Sequence, residues 1–184
     1  MDQAVFEFFH FTLANDFLDW LLPYWRKRET WIPLYLFLAL FMLWRDWRRG
    51  LAVLIAVGLA VLLADFITSG LLKPWVGRIR PCATSELDGQ LRALVSCGGS
   101  LSFPSSHASN HLAIALVLWG TWFFRLPQVG YLLLAWAVSI SLAQIYVAKH
   151  WPTDILGGWI VGGLVAWAVL LAYKKLASRL LQKR

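Results

Sequence analysis

Three short polar clusters interrupt an otherwise apolar chain. They read KPWVGRIRP at residues 73–81, PSSH at residues 104–107 and HWPTD at residues 150–154. The first supplies fixed positive charge, the second hydroxyls, backbone N–H donors and an imidazole, and the third an imidazole with a carboxylate four residues later. A phosphoryl group in transfer needs its oxygens neutralised, a nucleophile beneath the phosphorus and an acid for the leaving group. Together the clusters predict a phosphate site.

The first cluster places two cations on a constrained backbone. Lys73 is followed by Pro74, and Arg80 by Pro81, so both are held next to a fixed φ angle. Arginine presents a planar fork to phosphate oxygens and lysine a point charge, so the pair suits one anion. The simpler reading is a collar of basic side chains that reach lipid headgroups, and Arg78 is the better candidate for that role.

The second cluster has the residues of a helix start. Ser105 or Ser106 at such a position is an N-cap, and the same unpaired N–H groups also accept an anion, assisted by the helix dipole. In the third cluster, the Asp154 carboxylate can accept from one ring nitrogen of His150, fixing the tautomer and aiming the other nitrogen at phosphorus. A histidine without this carboxylate would be interpreted as a headgroup contact.

The three clusters resemble the type-2 phosphatidic acid phosphatase (PAP2) superfamily, whose pattern is K-x6-R-P, P-S-G-H and S-R-x5-H-x3-D. The likeness covers residues 65–165. It implies an enzyme without metal or cofactor, which hydrolyses the terminal phosphate of a lipid phosphate or diphosphate. Polyprenyl diphosphate, phosphatidylglycerophosphate, phosphatidic acid and lipid A are the substrates of such small bacterial relatives.

The resemblance also implies roles for individual residues. His150 is the expected nucleophile, forming a phosphohistidine, with Asp154 orienting it, while His107 is the expected general acid. The phosphate would be bound by Lys73, Arg80, Ser105, Ser106 and Gln144.

Two positions depart from the family pattern. Ser106 stands where the family has Gly, and Ala143-Gln144 stand where it has Ser-Arg. Loss of a charge-assisted contact to the transition state costs about 10²–10³ in rate. Lys149, Arg78 or one of the residues Arg26-Lys27-Arg28 is a candidate replacement for that charge.

Two alternatives to a metal-independent phosphatase remain open. Gln144 favours a catalytically weakened protein that kept the fold as a lipid-binding scaffold. A metal-dependent membrane hydrolase is also possible, because His107 and His111 lie on one helical face and His150 and Asp154 add two ligand types.

Composition points to an integral membrane protein. The chain is 59% hydrophobic with twelve Trp, and its apolar residues form long blocks. The net charge of +7 comes mainly from basic residues at block ends, where they meet lipid headgroups. Nucleic acid is not an expected partner, since no basic stretch is long enough to follow a phosphate backbone. The expected partners are membrane lipids and the lipid phosphate substrate.

The blocks predict an all-α, polytopic transmembrane bundle of five to six spans. Residues 1–28 form an interfacial or partly inserted amphipathic helix or a sixth span, residues 29–176 the catalytic domain, and residues 177–184 a basic cytoplasmic tail. Each block approaches the roughly 20 residues that cross a ~30 Å hydrocarbon core. The predicted spans are 31–44, 51–72, 107–124, 129–148 and 155–173.

Five spans put all three clusters on one membrane face. Nine of the 17 basic residues then lie on the opposite face, against eight on the cluster face, four of which lie within or beside the clusters. The positive-inside rule places the C-terminus in the cytoplasm and the site toward the periplasm or exoplasm of the plasma membrane. Cys82 and Cys97 enclose one loop on the outer side, which suggests a disulfide, although two free thiols remain possible.

Overall fold

The computed structural model describes residues 2–87 and 89–181, and this part of the chain is built from helices joined by turns and one irregular loop. Two short helices come first. Helix α1, Asp2–Glu7, runs into a wide π-type turn, Phe8–Thr12, and α2 covers Asp16–Trp25. Asn15 separates them and caps α2, its side chain accepting from the Leu18 N–H at 2.9 Å.

Two longer helices form an antiparallel pair. Helix α3 is Arg28–Arg45 and α4 is Trp47–Asp65, with Asp46 capping α4 by accepting from the Arg49 N–H at 3.1 Å. Helix α4 continues without a break through a wide turn, Phe66–Leu72, into the single turn α5, Lys73–Val76. The first polar cluster therefore begins at the end of this continuous helix.

The rest of the chain is a loop followed by three helices. Residues 77–105 form the loop, which contains the short 3-10 turns Pro81–Ala83 and Ser85–Leu87. Helix α6 is Ser106–Thr121, α7 is Pro127–Tyr146 and α8 is Pro152–Leu181. Helix α8 extends into the predicted tail at 177–184, of which residues 182–184 lie outside the described residues.

Most of each of the five predicted apolar blocks is helical. Within the described residues, three helices are long and apolar enough to cross a membrane: Trp47–Val76, Pro127–Tyr146 and Pro152–Leu176. Helix α3 has 18 residues with charged ends, and α6 has 16, a length of about 24 Å. The all-helical membrane architecture is thus established, and the number of five to six spans stays a prediction.

Helix α6 occupies the centre of the bundle, packed between α8, α7 and α4. Small residues let α8 approach it closely. A Cβ on Gly158 would lie 2.5 Å from the Ser105 carbonyl oxygen, and one on Gly162 would lie 2.4 Å from that of Ser109. Gly158 and Gly162, four residues apart in the run GWIVG, form a seam of small residues that is typical of close helix packing in membranes. Alanines and valines fill the buried layer between α4, α6 and α8.

The N-terminal segment docks at the end of the bundle where the polar clusters meet. Phe6 is fully buried with Ile145 and Ile155. His10, also buried, has Nδ1 2.7 Å from the Tyr146 carbonyl oxygen and accepts from the Arg92 N–H at 3.1 Å. Neither α1 nor α2 is alone long enough to span a bilayer, and both contribute to the walls around the clusters.

Candidate active site

Asp154 is the central buried group of the site. It is fully buried in the first turn of α8, and its Oδ2 lies 3.4 Å from His150 Nδ1 and accepts from the Trp151 N–H at 2.8 Å. Its other oxygen, Oδ1, accepts from Arg78 Nη1 at 2.8 Å. Arg78 is held in turn by Asp2. The carboxylate is therefore satisfied on both oxygens, and it faces the Nδ1 side of His150, leaving Nε2 for chemistry.

The end of helix α7 positions His150. Ala148 has a left-handed φ of 58°, and the Lys149 and His150 N–H groups both donate to the Gln144 carbonyl, at 3.0 and 3.2 Å. The Ala148 N–H donates to Ile145 O at 3.0 Å, which completes the pattern of a Schellman motif. This termination usually uses glycine, because a Cβ is disfavoured there. The chain therefore turns sharply, and Lys149 and His150 leave the helix into the site.

The first cluster is shaped by a glycine. Gly77, with φ of 66°, ends α5 by donating to the Lys73 carbonyl at 3.0 Å, and the chain then runs extended to Arg80. Arg80 donates from Nε to Leu101 O and from Nη1 to Cys97 O, both at 2.9 Å. Lys149 Nζ also donates to Cys97 O. Arg80 of the first cluster and Lys149, which directly precedes the third, thus share one carbonyl acceptor.

The loop that supplies this carbonyl is cross-linked. Cys82 and Cys97 form a disulfide with an S–S distance of 2.03 Å. The loop is also joined to the helical bundle by the Cys82 N–H, which donates to the Ala148 carbonyl at 3.0 Å. The crosslink therefore restrains the loop segment that carries the Cys97 carbonyl, to which Arg80 and Lys149 donate.

The second cluster meets both of the others. Ser105 is the N-cap of α6, its Oγ lying 3.4 Å from the Ala108 nitrogen, and its own N–H donates to the Asp154 carbonyl at 2.9 Å. Ser106 Oγ accepts from Lys73 Nζ at 2.8 Å. The hydroxyl present here in place of the family's glycine therefore occupies one lysine donor. Thr68 and Ser69 also contact it, at 3.0 and 2.8 Å.

His107 projects from the first turn of α6 into this cationic region. It interacts electrostatically with Arg26, Lys73 and His150, which places it among the charged groups of the site. Its backbone carbonyl lies 2.8 Å from His111 Nδ1, and Tyr35 lies 3.3 Å from His111 Nε2. In the part of the chain that the structure describes, no three His, Cys, Asp or Glu side chains are grouped closely enough to bind a metal ion.

The electrostatics of the site favour an uncharged His150 imidazole. Burial lowers the pKa of His150 to about 4, aided by the charges of Lys73 and Arg80 and opposed by Asp154. Burial together with the charges of Arg80 and Arg26 also lowers the pKa of Lys149, to about 8. Such mutual repulsion between cations is relieved when an anion binds among them.

Gln144 is fully buried near the end of α7 and is contacted by the N-terminal segment. Its Oε1 accepts from Arg26 Nε at 3.0 Å, and its Nε2 has no hydrogen-bond partner within the described structure. Because an arginine Nε can only donate, the atom it contacts must be the amide oxygen. The orientation of the Gln144 amide is thereby fixed.

The matches with known proteins agree with this geometry. The model of the PAP2 superfamily matches residues 49–178, which include all three clusters. The chain belongs to the PAP2 superfamily. The family predicted from the three clusters, and with it the prediction of a PAP2-type phosphatase, is thereby confirmed.

Relatives within the PAP2 superfamily carry names of lipid phosphatases. A lipid A 4'-phosphatase of Bacteroides thetaiotaomicron is 29% identical over 183 residues, covering 98% of this chain and 80% of the relative. An undecaprenyl-diphosphatase of Sulfolobus acidocaldarius is 25% identical and covers 83% of this chain and 68% of its own length.

Solved PAP2 structures share the fold. LpxE of Aquifex aeolicus superposes with a TM-score of 0.69 at 22% identity, covering 91% of this chain and 93% of that one. A PAP2-type phosphatidylglycerolphosphate phosphatase of Bacillus subtilis also gives 0.69, at 24% identity, covering 95% and 85%. At these identities the comparison establishes the common architecture.

All the predicted site residues lie at one end of the bundle, but the contacts of Arg78 differ from expectation. Arg78, interpreted from the sequence as a headgroup contact, instead pairs with Asp154 and Asp2. No sequence pattern predicted a contact of Asp2 with the site, because Asp2 is remote from every cluster and reaches them only through the docking of α1. Arg26 was one of several candidates to replace the missing charge, and within the described structure its side chain hydrogen-bonds the Gln144 side chain.

Proposed function

We propose that this PAP2 protein hydrolyses the terminal phosphate of a lipid phosphate or diphosphate without a metal ion, through a phosphohistidine on His150. The observation that carries the proposal is the convergence of Lys73, Arg80 and Lys149 beside a buried His150 whose Nδ1 faces Asp154. Among the described residues, none of these three cations has a carboxylate within 4 Å. Such a cluster is suited to an anion.

The reaction has two steps. In the first, His150 Nε2 attacks phosphorus, an N–P bond forms, the bond from phosphorus to the lipid oxygen breaks, and His107 gives its proton to that oxygen. In the second, His107 takes a proton from water, the water oxygen attacks phosphorus, and the N–P bond breaks. Inorganic phosphate leaves and both histidines return to their starting state. Lys73, Arg80 and the N-terminal N–H groups of α6 hold the phosphoryl oxygens in both steps.

The membrane setting is part of the proposal. Five spans, α3, α4–α5, α6, α7 and α8, would place the site at the periplasmic or exoplasmic rim and the C-terminus in the cytoplasm. Arg49, which donates to the Thr121 carbonyl at 2.7 Å, lies at the other end of α6 with the basic residues expected to face the cytoplasm. A lipid phosphate in the outer leaflet then reaches the site at headgroup level.

The substrate class follows the relatives. Because the lipid A 4'-phosphatase relative matches 98% of this chain, a phosphorylated glycolipid of the lipid A type is the first substrate to test. Polyprenyl diphosphate is second, followed by phosphatidylglycerophosphate and phosphatidic acid. Purified protein in detergent is incubated with each lipid, with and without EDTA, and released phosphate is measured.

We expect release from at least one lipid, undiminished by EDTA, and loss of release in His150→Ala. A phosphoryl group labelled from the substrate should be trapped on wild-type protein in an acid-labile, alkali-stable form, and not on His150→Ala. Thermal unfolding of both proteins shows whether the variant is folded. Unchanged turnover in a folded His150→Ala protein would remove the proposed mechanism, and loss of activity in EDTA would point to a metal-dependent hydrolase.

A further inference from the structure

We propose that Arg26, delivered by the N-terminal segment and held by Gln144, is the second arginine that binds the substrate phosphate. This inference rests on the proposed function, since it assigns a ligand to the same site. The PAP2 pattern places an arginine at the position of Gln144. Here a neutral amide takes that position, and a guanidinium from a distant part of the chain lies against it.

The geometry puts the Arg26 charge in the space that a residue-144 arginine would fill. The Gln144 side chain followed by a 3.0 Å hydrogen bond covers about the reach of an arginine side chain from the same backbone position. Arg26 also interacts electrostatically with His107 of the second cluster, Arg80 of the first, and Lys149, which directly precedes the third. It therefore lies among the groups proposed to surround the phosphate.

The Arg26 fork remains open for a ligand. Its one hydrogen bond to the described residues uses Nε, so Nη1 and Nη2 are not consumed by this contact. No carboxylate of the described residues lies within 4 Å of the guanidinium. A partly buried arginine placed beside other cations, with an uncharged partner, keeps its full charge for an anion. Two parallel N–H donors match two phosphate oxygens.

Gln144 contributes a second observation. Its Nε2 is buried and without a partner in the described structure, although buried amide groups are nearly always hydrogen-bonded. With Oε1 committed to Arg26, Nε2 can only donate, and a phosphate oxygen is the acceptor that the site would supply. The amide thus does two things: it positions Arg26 and offers one donor of its own.

This arrangement explains how a PAP2 site can work without the family arginine. Replacing one arginine by a Gln–Arg pair keeps both the charge and the forked donor, with the cation carried on the segment that links α2 to α3. The catalytically weakened scaffold suggested by Gln144 alone is then unnecessary. Substrate that enters beside α2 would meet a residue of the docked N-terminal segment in the site itself.

The test compares Arg26→Ala and Arg26→Lys with Arg28→Ala as a matched control. Arg28 lies two residues away, its side chain is 81% exposed, and it pairs with Glu29 outside the site. We expect Arg26→Ala to lower kcat/KM by about 10²–10³, mostly in kcat, since the contact strengthens as charge builds on the phosphoryl oxygens. Arg26→Lys should keep part of the activity, and Arg28→Ala should match wild type within about twofold.

A rescue variant separates direct phosphate binding from a structural role. The double variant Arg26→Ala/Gln144→Arg should have a kcat/KM at least tenfold higher than that of Arg26→Ala. The reason is that an arginine at the family's own position returns the charge to the same place. Orthovanadate affinity can be measured from the increase in unfolding temperature that the ion causes. This affinity should weaken at least tenfold in Arg26→Ala and be unchanged in Arg28→Ala. A purely structural role would move the unfolding temperature of the unliganded protein and would not be rescued.

The two proposals fail in different ways. If wild type releases phosphate in a His150-dependent manner, and folded Arg26→Ala keeps both its activity and its vanadate affinity, Arg26 is not a phosphate ligand. If wild type releases no phosphate from any lipid, the proposed function fails, and the vanadate comparison alone decides whether Arg26 binds an oxyanion.

Discussion

The contact between α6 and α8 makes a sharp prediction, because Gly158 lies one turn after Asp154 and directly against the second cluster. In Gly158→Ala, the new Cβ would be 2.5 Å from the Ser105 carbonyl oxygen and 2.9 Å from the Ala108 Cβ. Ordinary carbon–oxygen contacts begin at about 3.3 Å. The two helices must therefore separate by about 0.8 Å at this level. The obstructing atoms belong to the N-cap and the first turn of α6, so no flexible side chain can move aside.

The separation acts on stability and on the site together. Overpacking of a well-packed core costs about 1–3 kcal/mol. The movement also lengthens the 2.9 Å hydrogen bond from the Ser105 N–H to the Asp154 carbonyl, which joins the second and third clusters. A displacement near 1 Å between reacting groups can reduce a rate about 10²-fold. We therefore expect Gly158→Ala to lower kcat by one to two orders of magnitude and to lower the unfolding temperature.

Gly163→Ala is the matched control, on the same helix with no atom within 4 Å of the added Cβ. Its activity should equal that of wild type, and its unfolding temperature should be equal or higher, since alanine is the better helix former. Phosphate release and thermal unfolding are measured on all three proteins in the same detergent. Equal activity and equal stability in Gly158→Ala and Gly163→Ala would refute the argument that the seam sets the spacing of the site.

Further predictions concern pH, the disulfide and the buried ion pair. Because the pKa of His150 is lowered to about 4 in the folded protein, against 6.5 unfolded, folding excludes a proton between these values. The unfolding temperature of wild type should therefore fall more between pH 7 and pH 5 than that of His150→Gln, and parallel curves would contradict this. Reduction of the Cys82–Cys97 bond should lower kcat/KM several-fold, because it frees the Cys97 carbonyl to which Arg80 and Lys149 both donate. The Cys82→Ser/Cys97→Ser protein should be equally slow with and without reductant. Arg78→Met should lower activity, and should lower the free energy of unfolding by about 3–5 kcal/mol at most, because it leaves the buried Asp154 charge without its arginine partner. Stability equal to that of wild type would show that the contacts of Asp154 with Trp151 and His150 are sufficient to stabilise its charge.

The sequence alone was sufficient to predict that the three clusters lie at the same end of the helical bundle. Helices that cross a membrane alternate in direction, so the positions of the apolar blocks alone place the ends of α5 and α7 and the start of α6 on one side. The spacing within each cluster then restricts which side chains can meet. This is why Lys73, His107 and His150 were predicted together and lie together.

Helix ends were less predictable, because they depend on contacts between elements. The third block was expected to reach residue 124, but α6 stops at Thr121, where Arg49 from α4 binds the Thr121 and Trp122 carbonyls. Helix α8 continues past residue 173 through Lys174 and Lys175, which are good helix formers. Neither Thr121 nor Leu181 is directly followed by the glycine or proline that usually signals a helix end.

The N-terminal contribution could not be derived from local pattern. The run Arg26-Lys27-Arg28 offers three equivalent basic residues, and which one faces Gln144 depends on how α2 docks against α7. Similarly, Arg78 resembles any basic residue at a membrane surface until the position of Asp154 is known. Both assignments require tertiary structure, since the partners are separated by 118 and 76 residues.

The docking of α1 has a practical consequence for handling the protein. Asp2 binds both Arg78 and the Thr153 backbone N–H, the latter at 3.0 Å, so the chain start is anchored two side chains away from His150. Bulky affinity tags or fluorescent fusions attached at that end would disturb the ion pairs that join Asp2, Arg78 and Asp154. A protein sample that carries a tag before Asp2 and turns over slowly should be re-examined with the tag removed.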